Sequence, residues 1–163
     1  NAMRYLDQID MVYDYYEYDD SDNMIDGKTV ANMIGKDHNI VFKTLVSVSG
    51  NHIHYVFVLP VNKELDLKKA AKAVKEKNIE LIPVKDIEKI TGYIKGGCSP
   101  IGMKKKFTTV FHQSALEHDT IIFNGGKVGL QIEISSEKIK NAIPCEFADI
   151  VMDHDKQFKE ETR

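Results

Sequence analysis

The chain has 163 residues, 42% of them hydrophobic, and a formal charge of −3. That length supports one domain with a continuous core and no metal or disulfide staple, while the slightly acidic balance excludes a protein that grips nucleic acid through a generally basic surface. No apolar run approaches the roughly 18 residues of a membrane span, nothing at the start reads as a secretory leader, and Cys98 and Cys145 form no metal or redox motif; a soluble, cytoplasmic protein with reduced thiols is expected.

Residues 3–10 read as a short helix and Met11–Tyr18 as a strand bearing several tyrosines. Acidic residues crowd positions 7–26, among them Asp19, Asp20, Asp22 and Asp26, with no Lys or Arg between. Thr29–Ile34 has helical spacing and stops at Gly35, a left-handed cap. The β-branched run Ile40–Val48, the turn Ser49-Gly50-Asn51 and the run His52–Leu59 predict a hairpin. Leu65–Lys77 places Leu67, Ala70, Ala71 and Val74 on one helical face, expected to pack on a sheet, and Lys68, Lys69, Lys72 and Lys75 elsewhere. With Lys104–Lys106 these lysines form either a solvated face or a local basic track.

A short segment, Ile79–Pro83, precedes a helical turn or two at Val84–Ile90, and Phe107–Phe111 reads as a strand. Thr120–Phe123 and Val128–Ile134 pair through Asn124-Gly125-Gly126-Lys127 as a second hairpin. Ser135 is placed to cap a helix running through Ala142, and Glu146–Val151 makes a last strand. Helices interspersed with hairpins predict a mixed-sheet α/β domain, not a doubly wound one.

Lys43 stands inside an apolar strand, sharing a face with Val41 and Leu45. If that face is enclosed, its ammonium needs an anionic or dipolar partner, which a ligand would supply; if open, its stem simply lies along a wet sheet surface. Gly96-Gly97-Cys98-Ser99-Pro100-Ile101-Gly102 is either a plain turn or a nest of backbone N–H groups suited to an oxyanion or a ligand carbonyl. It matches neither a Walker loop nor a dinucleotide fingerprint. Cys98 invites a nucleophile reading, but no histidine lies near it in sequence, and the structural reading is preferred. His52 and His54 share a strand face and could begin a metal site, yet His38, His112, His118 and His154 bring no supporting motif, so surface histidines are expected and no metal or other cofactor.

Five blocks in order, Val41–Val46, Glu64–Lys72, Thr91–Gly102, Asn124–Glu133 and Phe147–Ile150, resemble the YbaK/EbsC family of free-standing editing proteins related to the domain inserted in bacterial prolyl-tRNA synthetases. The resemblance implies a single editing domain over 3–151, built as a mixed, mostly antiparallel sheet or partly closed barrel with flanking helices, and a polar tail over 152–163. It implies a trans-editing deacylase that removes cysteine from tRNA(Pro), with the 3′ end of the aminoacyl-tRNA as ligand and prolyl-tRNA synthetase as partner. Lys43, beside Thr44, then orients the aminoacyl ester. Gly96, Gly97, the Cys98 backbone, Ser99 and Pro100 form the donor loop, while Tyr16, Asn124 and Gln131 occupy pocket positions. Some relatives carry serine at the position of Asn124 and some carry aspartate at that of Gln131, which bears on selectivity. The implied chemistry is substrate-assisted, the bound cysteine's thiol attacking its own ester. An Ala-tRNA(Pro) or broader deacylase using water, and a noncatalytic aminoacyl-binding regulator, are the alternatives.

Overall fold

A computed structural model describes residues 1–19 and 26–153. Asp20, Asp22, His154 and the tail from 154 onward therefore lie outside the described residues. Helix α1 (Ala2–Gln8) buries Ala2 and Leu6 in the main core, and its Tyr5 hydroxyl donates to the Ala142 carbonyl at 2.6 Å. Strand β1 is only Asp14–Glu17, shorter than the alternation predicts; Val12, 80% exposed, lies in the lead-in that the sheet does not cover.

Helix α2 (Gly27–Met33) starts where the Asp26 side chain accepts from the Thr29 N–H at 2.8 Å. That bond holds the Asp26 carboxyl below the usual carboxylate range. It ends as expected at Gly35, whose φ of 70° lets the Lys36 N–H turn back to the Ala31 carbonyl.

Strands β2 (Phe42–Ser49) and β3 (His54–Pro60) form the predicted hairpin, with Phe42 opposite Pro60 and Val48 opposite His54. His52 belongs to the turn, at φ 64°. It does not share a strand face with His54, because Ser49 Oγ takes the N–H groups of Asn51 and Ile53 and starts the strand only afterwards. The unbroken apolar run in β3 follows from burial on both faces. Val56 and Val58 enter one core cluster, while Tyr55, Phe57 and Leu59 enter another.

Helix α3 (Leu67–Ala73) begins at Asp66, which accepts from the N–H groups of Lys68 and Lys69, and Lys75 takes φ 59° just past its end. Ala70 and Ala71 pack against the sheet, as the spacing predicts, whereas Leu67 is 43% exposed, being in the first turn beside the cap. Strand β4 (Ile79–Leu81) precedes a 3-10 turn and α4 (Ile87–Thr91). Strand β5 (Thr108–His112) leads into an unforeseen 3-10 turn over Gln113–Glu117, capped by the His112 ring. Strands β6 (Thr120–Asn124) and β7 (Leu130–Ser135) make the second expected hairpin. Ser135 precedes a 3-10 turn and the short α5 (Ile139–Ala142), but its side chain makes no capping bond. Strand β8 is Glu146–Ala148, with Val151 bridging separately to Leu65.

The strands form two sheets, ordered β1-β7-β6 and β4-β2-β3-β5-β8. Pairing is mostly antiparallel, with β3-β5 and β5-β8 parallel. The expected mixed, mostly antiparallel α/β domain is therefore found, and among the described residues a bridge from Val41 to Ile122 links the two sheets without closing a barrel. Phe42, Val58, Phe111, Phe123 and Ile132 fill the core between the sheets, and each such side chain contributes roughly 1.5–3 kcal/mol by leaving water. A small cluster of Ala31, Val41, Val61 and Ile122 packs where α2 crosses the bridge, beside the functional cavity.

Candidate active site

A cavity of 480 Å³ opens where several pieces of chain meet. The start of β2 brings Lys43 and Thr44, the start of α2 brings Asp26, the loop after α4 brings Gly96 and Cys98, and the second hairpin brings Asn124 and Gln131. Its size falls within the usual range for small-ligand pockets. Of the sequence-predicted site residues, it gathers Lys43, Thr44, Gly96, Cys98, Asn124 and Gln131.

Lys43 is half-buried and its ammonium makes no hydrogen bond or ion pair among the described residues. Burial pushes its ammonium pKa down; the field of Glu64 pulls it back up, Lys28 lowers it further and Asp26 raises it. Thr44 Oγ1 and Gln131 Oε1 are buried without a partner among the described residues, and Gln131 is only 4% exposed. An orphaned buried polar atom costs about 1–3 kcal/mol, a cost that a ligand carrying donors would relieve. Three polar groups left short of partners around one cavity have the composition of a ligand-binding site.

The glycine loop is held from two directions. Gly97 N–H donates to the Ile94 carbonyl at 3.0 Å, closing a turn. Asn124 reaches across from β6, its Nδ2 donating to the Gly96 carbonyl while its Oδ1 accepts from the Gly126 N–H at 2.9 Å. Beneath the loop the Tyr93 hydroxyl donates to the Ile101 carbonyl at 2.8 Å. The N–H groups of Gly96 and Cys98 meet no acceptor among the described residues and belong to residues that border the cavity. Gly97 is needed for a reason the sequence does not disclose. A Cβ there would lie 2.9 Å from Lys127 Cα and 3.1 Å from Val128 N, so the chain's own hairpin turn excludes a side chain.

Two predicted loop residues lie elsewhere. Ser99 is fully buried, its Oγ accepting from the Ile101 N–H at 3.4 Å, and Pro100 lines a different cavity. Cys98 borders the main cavity, but burial pushes its thiol up to about 11. That leaves roughly one molecule in ten thousand as thiolate at pH 7, in keeping with the structural reading of this residue.

Tyr16 shares the sheet face of Gln131, its cross-strand partner, yet its hydroxyl donates to Glu133, and Lys36 sits 5.1 Å over its ring. The tyrosine that borders the cavity is Tyr18. Alternation puts the two on one face, so the sequence held a signal for either; the Glu133 carboxylate decides between them. Lys95 and Asp26 also line the cavity, although no motif or spacing in the sequence points to either. The Phe147–Ile150 block acts at a distance: Asp149, with Asp153, holds Lys69 at 2.9 and 2.8 Å and pins α3 to the end of β8. Lys69 is thus neutralised and is not part of an open basic track. Among the described residues, no helix is long and apolar enough to cross a membrane.

The model of a family described as an aminoacyl-tRNA editing domain matches residues 24–142. An Enterococcus faecalis protein named "Putative Cys-tRNA(Pro)/Cys-tRNA(Cys) deacylase EbsC" is 44% identical over 150 residues, covering 92% of each chain. Among solved structures, a hypothetical protein superposes with a TM-score of 0.83 at 17% identity, covering 92% of this chain and 98% of the other. A "putative trans-editing enzyme for prolyl tRNA synthetase" gives 0.79 at 18%, covering 93% and 98%. At these identities the two structures establish a shared fold.

Proposed function

Because the chain belongs to the aminoacyl-tRNA editing domain family, we propose that it is a trans-editing deacylase that removes cysteine misattached to tRNA(Pro), working on the 3′ ester in the 480 Å³ cavity. One observation carries the reading. Lys43, whose half-buried ammonium has no partner among the described residues, lines the same cavity as Gly96 and Cys98, whose N–H groups meet no acceptor among those residues. The need for such an enzyme is physical: a synthetase pocket separates amino acids of similar size by only about 1–3 kcal/mol, and hydrolysis afterwards supplies the remainder.

In the proposed reaction the substrate brings its own nucleophile. The cysteine sulfur attacks its ester carbonyl, the tetrahedral intermediate collapses by breaking the bond to the ribose oxygen, and that oxygen takes up the thiol proton. The products are free tRNA and a four-membered thiolactone, which water opens to cysteine. Well-oriented intramolecular attack reaches effective molarities of ~10⁵–10⁸ M, so the protein needs to orient and to stabilise charge. Lys43 fixes the ester end of the ligand, and the Gly96 and Cys98 N–H groups receive the developing oxyanion. Thr44 and Gln131 accept from the substrate's donors, the α-ammonium among them. The Cys98 thiol, held near 11, takes no part.

A chain of charge −3 collects little tRNA alone. We therefore assign prolyl-tRNA synthetase as a partner that adds affinity to what a local set of lysines provides, and the cytoplasm as the place of work. The Enterococcus relative is named for two cysteine-bearing tRNAs, which fits recognition centred on the amino acid and the common 3′ end. The test is deacylation of Cys-tRNA(Pro) by folded Lys43→Ala and Cys98→Ala variants. Loss of activity in the first and retention in the second are expected; undiminished activity in Lys43→Ala, or its abolition in Cys98→Ala, overturns the assignment.

A further inference from the structure

A second cavity, of 370 Å³, is bordered by Pro100 and Gly102 of the same glycine loop. Its walls are largely apolar, with Tyr5, Met103, Phe107, Ile143 and Pro144 contributing. None of these residues has a role in the chemistry assigned to the first cavity. The Phe107 ring is set by an edge-on contact with His54, centroids 5.9 Å apart. At the rim stand Lys105 and Lys106, both exposed, against one acid in the lining, Glu146.

The two cavities are close neighbours. Cys98 borders the first and Pro100 the second, and two residues of chain span at most about 7 Å. A strand whose last nucleotide occupies the first cavity and which crosses this shared loop brings its preceding nucleotide toward the second. Flat aromatic walls with lysines beside them are what an unstacked base and its phosphate require. The lysines also answer how a chain of net charge −3 meets a polyanion: the complementary charge is local.

We propose that this second cavity seats the nucleobase preceding the aminoacylated terminal nucleotide, with Phe107 as its stacking face and Lys105 and Lys106 on the adjoining phosphate. The inference rests on the aminoacyl-tRNA reading of the first cavity, and it extends that reading from one nucleotide to two. It makes the acceptor strand, not the tRNA body, the source of nucleotide affinity.

The experiment compares two substrates, Cys-tRNA(Pro) and cysteinyl-adenosine, which lacks any preceding nucleotide. Phe107→Leu keeps apolar bulk and removes the flat face. It is expected to raise KM for the tRNA by roughly 5- to 150-fold, the range for removal of one base stack, and to leave cysteinyl-adenosine unchanged. Lys105→Ala/Lys106→Ala, at exposed positions that do not support the fold, is expected to lower the salt slope of tRNA binding by about 0.7 for each phosphate that the lysines neutralise. Equal effects on both substrates, or none on either, overturn the proposal. A catalytic failure of the wild-type protein on both substrates would sink the deacylase reading alone. Binding then decides the second cavity: the uncharged trinucleotide CCA should bind more tightly than adenosine, with the difference abolished by Phe107→Leu. Equal binding, or a difference that survives Phe107→Leu, refutes the base site and leaves the cavity to a protein partner.

Discussion

Gly97→Ala isolates the geometry of the loop from its chemistry, since it adds one methyl group and removes no donor. That Cβ would lie 2.9 Å from Lys127 Cα, with Lys127 C and Val128 N both at 3.1 Å. Carbon atoms rest at about 3.5–4.0 Å, so the loop and the hairpin turn must part by about 0.6–1.1 Å. The obstacle is backbone on both sides and cannot swing away. Overpacking of this kind costs about 1–3 kcal/mol, or a Tm lower by about 2–12 °C for a chain of this length. The catalytic effect is expected to be larger in proportion, because a displacement of ~1 Å at reacting groups costs on the order of 100-fold.

Single-turnover deacylation of Cys-tRNA(Pro), run well below the variant's Tm, reads the second effect apart from the first. Gly35→Ala is the control. Its φ is 70° with nothing within 4 Å of the added Cβ, so it carries only the backbone penalty of about 1–2 kcal/mol at the far end of α2. The expected pattern is comparable destabilisation in both variants and a slow reaction in Gly97→Ala alone. A destabilised but fully active Gly97→Ala would refute the claim that the position of this loop governs the rate.

Lys43 gives a pH signature. Its folded pKa lies below the ordinary lysine value of 10.5 because of burial, so the unfolded chain binds this proton more tightly and Lys43 contributes stability that grows as pH rises from the folded pKa toward 10.5. Lys43→Met should be more stable than wild type at neutral pH in thermal melts, with the gap narrowing toward about pH 10; a constant gap would show that the ammonium is not desolvated. The Cys98 and Cys145 thiols, both pushed up to about 11 by burial, should resist iodoacetamide at about pH 8, followed by mass spectrometry; rapid labelling of Cys98 would reopen its nucleophile reading. Asn124→Ala removes both the bond to the Gly96 carbonyl and that from the Gly126 N–H. Bonds worth about 0.5–1.5 kcal/mol each predict a rate loss of roughly tenfold in a folded protein, and Asn124→Asp, which keeps only the acceptor, should not restore it.

Local chemistry made much of this fold legible. Gly35 marks the end of α2 and Gly125-Gly126 marks the turn between β6 and β7, because caps and turns answer to residues a few positions apart, whereas the Asp26 cap, which starts α2 at Gly27, two residues before Thr29, was not legible in the spacing. The parallel pairings of β3 with β5 and β5 with β8 join segments far apart in the chain, and no short-range pattern specifies them. At the site, Lys43 was legible as a charge inside an apolar strand. That Tyr18 borders the cavity and Tyr16 does not was not legible, since it depends on where Glu133 and Lys36 stand once β1 pairs with β7. The reason for Gly97 was hidden in the same way: spacing suggested room for a ligand, and the nearest obstacle is the backbone of Lys127 and Val128.

The most direct test of substrate-assisted editing is a rate comparison on one tRNA(Pro) carrying cysteine, S-methylcysteine or serine. Capping the sulfur preserves the rest of the ligand and removes the attacking group, so this account predicts rapid release of cysteine and at least about 100-fold slower release of the other two, given the size of intramolecular advantage available. Comparable rates for all three would mean that water does the work, and that the thiol of the bound amino acid is a bystander.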